Sequence, residues 1–120
     1  MNIGVAKERA AGEQRVALGP DSIAKLAKGG AAILVERGAG VAAGFPDAVL
    51  EKAGATMLDD AASLYAKSDI VLRVQPPSLD ESRLLAEGSV LISALPAASS
   101  AELNAALAVR RITAFALVRV

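Results

Sequence analysis

Short apolar runs alternate with amphipathic stretches along the whole chain. Six runs read as strands: residues 2–6, 31–36, a weaker 55–58, 69–74, 89–95 and 112–117. Most are almost continuously apolar, as in Asp69-Ile70-Val71-Leu72-Arg73-Val74. That is the pattern of strands covered on both faces in a parallel sheet, since a sheet with one wet face would alternate. The intervening stretches carry helix start and stop signals. Pro20 with Asp21 opens a helix that sets Ile23 and Leu26 on one face and closes at Gly29-Gly30. Pro46 and Asp47 open the next, with Val49 and Leu50 inward and Gly54 as its stop. Asp59 or Asp60 caps a short helix through Leu64 and Tyr65. Ser78 and Glu81 have capping-box spacing for a helix to Glu87, stopped by Gly88, and Ser99 with Glu102 repeats it for a helix to Arg110. Pro76-Pro77 pushes Gln75 out of helical geometry and marks a rigid turn rather than a domain boundary. Repeated β-α units with right-handed crossovers predict a three-layer α/β sandwich with a mainly parallel sheet, flavodoxin-like or Rossmann-like, in one domain over residues 1–120.

Composition narrows what such a domain can do. With two Phe, one Tyr and no Trp, the core is built from Ala, Val, Leu and Ile. Thirteen basic and thirteen acidic residues cancel, so no long-range field attracts nucleic acid or an anionic membrane. The chain has no Cys and no His, which removes disulfides, thiol nucleophiles, the usual zinc ligands and imidazole acid/base chemistry together. No apolar run is long enough to span a bilayer, and Met1-Asn2-Ile3-Gly4 does not begin a signal peptide. A cytoplasmic chain with no direct membrane insertion is expected.

Three stretches bear on ligands. Gly38-Ala39-Gly40-Val41-Ala42-Ala43-Gly44 fits the G-x-G-x-x-A fingerprint, with Asp59 and Asp60 near the distance of a ribose-binding acid. The mechanism, however, needs the second half of that motif inside a helix whose N-terminus faces the pyrophosphate. Gly44-Phe45-Pro46 interrupts, so the stretch reads as a tight glycine-rich connection. The other two lie where chain leaves the carboxyl ends of strands, the side on which α/β sheets bind ligands. The first is Lys7-Glu8-Arg9-Ala10-Ala11-Gly12-Glu13-Gln14-Arg15, in which Arg15 offers a planar charged fork to a carboxylate or phosphate. The second holds Arg73, read as a satisfied edge-strand residue, and Gln75, which lies beyond the strand. Parallel strands end on one side, so Arg15 and Gln75 are expected close together.

These stretches also carry a resemblance. The string K-E-x-x-x-x-E-x-R-V-A-L-x-P-D over residues 7–21 is similar to the start of the N-terminal domain shared by alanine dehydrogenases and nicotinamide nucleotide transhydrogenase α subunits. Val35-Glu36-Arg37-Gly38-Ala39-Gly40 with Gly44-Phe45-Pro46-Asp47 resembles that family's V-E-x-G-A-G…G-F-x-D segment, where it is not the nucleotide fingerprint. Leu72-Arg73-Val74-Gln75-Pro76-Pro77 resembles its L-K-V-x-x-P segment. Alanine dehydrogenases carry a substrate-binding Lys where Gln75 stands, and a catalytic His where Leu95-Pro96-Ala97 falls. This chain has neither, and the segment that ends in Glu102-Leu103 is similar to the transhydrogenase W-P-A-x-x-P-E-L.

The resemblance therefore implies the transhydrogenase branch, in which a hydride passes from NADH to NADP+ bound at another subunit, coupled to proton movement. Arg15 and Gln75 would line one wall of the nicotinamide cleft. NAD(H) would be held mainly by a nucleotide-binding domain not present in these residues, and nucleotide-binding and membrane subunits are the implied partners, the chain being peripheral to the membrane through them. Family members continue past Phe115-Ala116-Leu117 into a Pro-Arg turn and a nicotinamide-contacting loop, so a truncated domain is expected. Its last strand would be an open edge that favours a homo-oligomer or a covering partner. The rivals are a non-catalytic binding module of the same fold and a diverged amino-acid dehydrogenase fragment.

Overall fold

Six strands pair side by side in parallel, in the order β3-β2-β1-β4-β5-β6. In the computed structural model, which describes residues 1–95 and 101–119, they are β1 Asn2–Val5, β2 Ala32–Glu36, β3 Ala55–Leu58, β4 Ile70–Leu72, β5 Val90–Leu95 and β6 Thr113–Arg119. Helices α1 Pro20–Lys28, α2 Asp47–Ala53, α3 Ala61–Lys67, α4 Leu79–Ser82 and α5 Ala101–Val109 fall between them. The order 3-2-1-4-5-6 is that of doubly wound Rossmann-like sheets, with the switch in winding direction between β1 and β4. The expected α/β class and each expected strand are present, and the sheet is parallel throughout.

Alternation along the strands splits the core into two. Ile3, Val5, Ile33 and Val35 pack with Ile23 of α1 and Leu50 of α2 on one face. Ala6, Val71 and Leu91 pack with Leu64 and Tyr65 of α3, Leu85 and Leu107 of α5 on the other. Burying one such Leu or Ile contributes about 1.5–3 kcal/mol, so the layers hold through many moderate contacts. The fingerprint-like stretch turns through a 3-10 segment, Val41–Ala43, and a left-handed Gly44 at φ +91° before α2 starts. A side chain at Gly40 would meet the Phe45 carbonyl oxygen at 2.8 Å, so this glycine serves close packing.

Four local expectations change. Val49 is 42% exposed and only Leu50 points inward from α2, because seven residues give that helix a single inward position. The helix begun by Ser78 ends at Ser82 rather than Glu87. Its capping box is complete, but the following N–H groups of Arg83, Leu84 and Leu85 donate to the carbonyls of Asp80, Glu81 and Ser82, a tightening to three-residue turns. Strand β4 stops at Leu72, and β4 is central, so Arg73 is no edge residue. The start of the last helix at Ser99, and Pro96 and Ala97, lie outside the described residues.

Candidate functional site

The two loops that leave β1 and β4 face each other across the switch point, where open α/β sheets form a crevice. They are joined from the floor upward by charge. Glu8, just past β1, has a side chain 2% exposed. Its Oε2 accepts the N–H of Val74 at 2.8 Å and its Oε1 accepts that of Gln75 at 3.1 Å. This is why the β4 ladder stops: the N–H groups that would extend pairing toward β1 are taken by a carboxylate.

Below lies Arg73, also 2% exposed. Its guanidinium donates to Tyr65 Oη at 2.6 Å, to Glu81 Oε2 at 2.8 Å and to the Gln75 carbonyl at 3.0 Å, with Glu8 Oε1 at 3.6 Å. Burial alone would lower the Arg73 pKa, but Tyr65, Glu81 and Glu8 around it raise it, so it is a fixed cation. Burial pushes the Tyr65 hydroxyl up to about 12, against the pull of Arg73. Burial also acts to raise Glu81, yet the Ser78 N–H and Arg73 hold it below its ordinary value.

At the mouth, Glu13 ties the two predicted residues together. Gln75 Nε2 donates to Glu13 Oε1 at 2.7 Å. Arg15 donates from Nε and its backbone N–H to Oε2 and from NH2 to Oε1, each at 2.9 Å. Glu13 is 7% exposed and Arg15 69%. Hydrogen bonds from Arg15, then from Gln75, hold the Glu13 carboxyl well below the usual range. On the flank, Arg9 pairs with buried Glu36, which also accepts the Lys7 N–H at 3.0 Å. Arg9, Ala10, Arg73, Pro76, Pro77, Ser78 and Glu81 line a hollow of 350 Å³. A larger hollow of 540 Å³ between α4 and α5 is mostly apolar and stands away from the strand ends.

Three guanidiniums thus face four carboxylates, Arg9 with Glu36, Arg15 with Glu13, and Arg73 with Glu8 and Glu81. Among the described residues no cluster of three or more metal-ligating side chains occurs. In a chain without His or Cys, this arrangement of paired charges suits binding and orientation better than proton transfer.

The model of the family "Alanine dehydrogenase/PNT, N-terminal domain" matches residues 4–120. The chain belongs to this family. The first portion of the divided NAD(P) transhydrogenase subunit alpha of Rhodospirillum rubrum is 41% identical over 122 residues, covering 98% of this chain and 32% of that protein. The alanine dehydrogenase of Bacillus subtilis is 37% identical over 116 residues, covering 97% of this chain and 30% of its own length. Among solved structures, an L-alanine dehydrogenase superposes with a TM-score of 0.91 and a transhydrogenase from Sinorhizobium meliloti with 0.90, each at 34% identity over 97% of this chain and covering 32% and 34% of those chains. The chain therefore spans about a third of the length of these relatives, all of them oxidoreductases or portions of one by name.

Within this crevice the structure brings Arg15 and Gln75 together, as their strand-end positions predict. It also shows that neither acts alone. Glu8 and Glu13 belong to the K-E-x-x-x-x-E-x-R string, where they read only as local ion-pair partners. Tyr65 and Glu81 carried helix signals, and nothing local tied them to Arg73. The fingerprint candidates have structural work: Asp59 pairs with Arg37 at 2.6 Å, Asp60 caps α3 by accepting the Ser63 N–H at 2.7 Å, and the Gly38 N–H donates to Asp47 at 2.9 Å.

Proposed function

We propose that this chain belongs to the NAD(H)-binding α subunit of a proton-translocating NAD(P)+ transhydrogenase, and that Arg15 and Gln75 form one wall of its nicotinamide cleft. The observation that carries the reading is the neutral, hydrogen-bonded mouth at the β1/β4 switch point, where Gln75 supplies an amide and every described guanidinium of the crevice has a carboxylate partner. Such a mouth suits a carboxamide-bearing ring. The phosphates of a dinucleotide find no counterpart here, since the glycine-rich connection opens no helix and its Gly38 N–H is already bonded. They are assigned to a nucleotide-binding domain outside these residues.

When bound, the nicotinamide cofactor supplies the hydride chemistry; the protein supplies juxtaposition and exclusion of water. In this chain Glu8 locks the two loops, Arg73 holds Glu8 and Glu81 in place, and Glu13 orients Arg15 and Gln75. None of these groups is asked to move a proton, which agrees with a chain that lacks His. Among the described residues no helix is long and apolar enough to cross a membrane, and the coupling to proton movement is assigned to partner subunits, with the chain on the cytoplasmic side and in a homo-oligomer.

The test is reconstitution. In a subunit joining this chain to a transhydrogenase-type nucleotide domain, assembled with its NADP-binding and membrane partners, NADH should reduce an NADP+ analogue. Arg15→Ala and Gln75→Ala should each lower turnover about tenfold or more, the cost of misplacing a bound reactant, with melting unchanged because a loop Arg stabilises little. Full turnover in both variants, or alanine-dependent reduction of NAD+, would reject the assignment.

A further inference from the structure

The crevice mouth holds an acid that neither the fold nor a cofactor requires. Glu13 is on a loop, yet its carboxylate is nearly buried and takes four hydrogen bonds, three from Arg15 and one from Gln75. An ionised carboxylate only accepts. It therefore decides which way the Gln75 amide faces: the nitrogen must turn to Glu13 and the oxygen away from it. That oxygen accepts no hydrogen bond among the described residues, so the mouth offers an acceptor there. Arg15 is affected in the opposite sense. Its Nε and NH2, the two parallel donors that recognise a carboxylate in bidentate fashion, are filled by Glu13, and its charge is cancelled at 2.9 Å.

We propose that Glu13 is a specificity-determining residue of this crevice, an internal carboxylate that fills the Arg15 fork and aims the Gln75 oxygen outward, so that the mouth takes a neutral carboxamide and refuses a carboxylate. The inference rests on the nicotinamide reading for its ligand, but its logic is one of matched donors. A carboxamide brings an NH2 for the Gln75 oxygen and a carbonyl for the outer nitrogen of Arg15. A carboxylate brings no donor, finds the fork taken and meets Glu13 and Glu8 as like charges. Rejection by an unmet hydrogen bond and an unpaired charge is the stronger form of discrimination. The low pKa of Glu13 agrees, because it keeps the acid ionised across the working pH range.

Nicotinamide and nicotinate form the test pair, since they differ only in carboxamide against carboxylate. Each is titrated into the intact protein with 15N labelling, following the Gln75 side-chain NH2 and the Arg15 Nε–H. The wild-type protein should prefer nicotinamide, and Glu13→Ala should gain about tenfold in nicotinate affinity, with a shift of the Arg15 Nε–H on binding. Glu13→Gln, which keeps the shape and loses the charge, should fall between them and serves if the alanine variant does not fold. If neither compound binds the wild type while Glu13→Ala gains nicotinate at Arg15, Glu13 is still the gate and the nicotinamide reading fails. If nicotinate affinity does not rise in either variant, Glu13 has no such role, whether or not the wild type turns over NADH.

Discussion

Replacing Arg73 by Met removes the one cation beneath the crevice and leaves Glu8 and Glu81, with side chains 2% and 16% exposed, facing the cavity it vacated. Breaking a buried pair by removing one partner costs about 3–5 kcal/mol, because the surviving charge is uncompensated. Here the Tyr65 hydroxyl and the Gln75 carbonyl also lose a donor. Against a total of about 6–18 kcal/mol expected for a domain this size, and a urea dependence of about 2 kcal/mol/M, the midpoint should fall by roughly 2 M. The pH dependence gives a second, independent sign. In the wild type Glu81 is held below its ordinary value. Its contribution is therefore fully present above the unfolded value of about 4.3 and lost as pH falls through the lower, folded value. In Arg73→Met a buried carboxylate without its cation is pushed up, so that variant binds protons on folding and recovers relative stability in acid. The gap between the two proteins should narrow steadily from pH 7 toward pH 5. Urea titrations at several pH values measure it, with Arg73→Lys as a control that keeps charge but loses the fork. A loss under about 1 kcal/mol, in the range of an exposed pair, or a gap constant with pH, would show that this network is solvated and that Arg73 does not organise the crevice.

Two further outcomes follow from the geometry. Gly4 in β1 lies under α3, and a Cβ there would sit 2.0 Å from Ser68 Oγ and 2.9 Å from Ser68 Cβ. Gly4→Ala should cost about 1–3 kcal/mol by overpacking, and Ser68→Gly should restore part of it in the double variant, as a double-mutant cycle by thermal melting would show; additive losses would mean that the two do not touch. Calorimetric titration of the 120-residue chain with NADH should show weak binding or none, since it contributes one wall and no phosphate site; a micromolar dissociation constant would return the Gly38–Gly44 stretch to consideration.

The sheet was legible because its central strands are apolar on both faces, and the helix starts because Pro20, Asp60 and the Ser78–Glu81 pair leave local signatures. Arg15 and Gln75 were legible by a rule of position, that parallel strands deliver their loops to one side. What escaped depends on distant partners. Nothing near Arg73 says that its strand is central, because strand order is a property of winding. Nothing near Val74 says that a carboxylate from the first loop ends the ladder. The early end of α4 was hidden for a related reason: its capping box fixes where a helix begins, while its stop follows from drawing Leu85 into the core beside Leu91 and Leu107.

The contacts that build the crevice join residues far apart in the chain: Glu8 meets Val74 and Gln75 across 66 and 67 positions, and Glu13 meets Gln75 across 62. None can form until β1 and β4 lie side by side, which first requires closing a long loop through β2 and β3. Recognition geometry in this domain is therefore not a property of a peptide that could be excised, grafted or prefolded. It arrives with the global transition and disappears with it. A substitution in the hydrophobic layers that only lowers stability would also thin the population of chains able to hold a ligand, without touching any residue at the mouth.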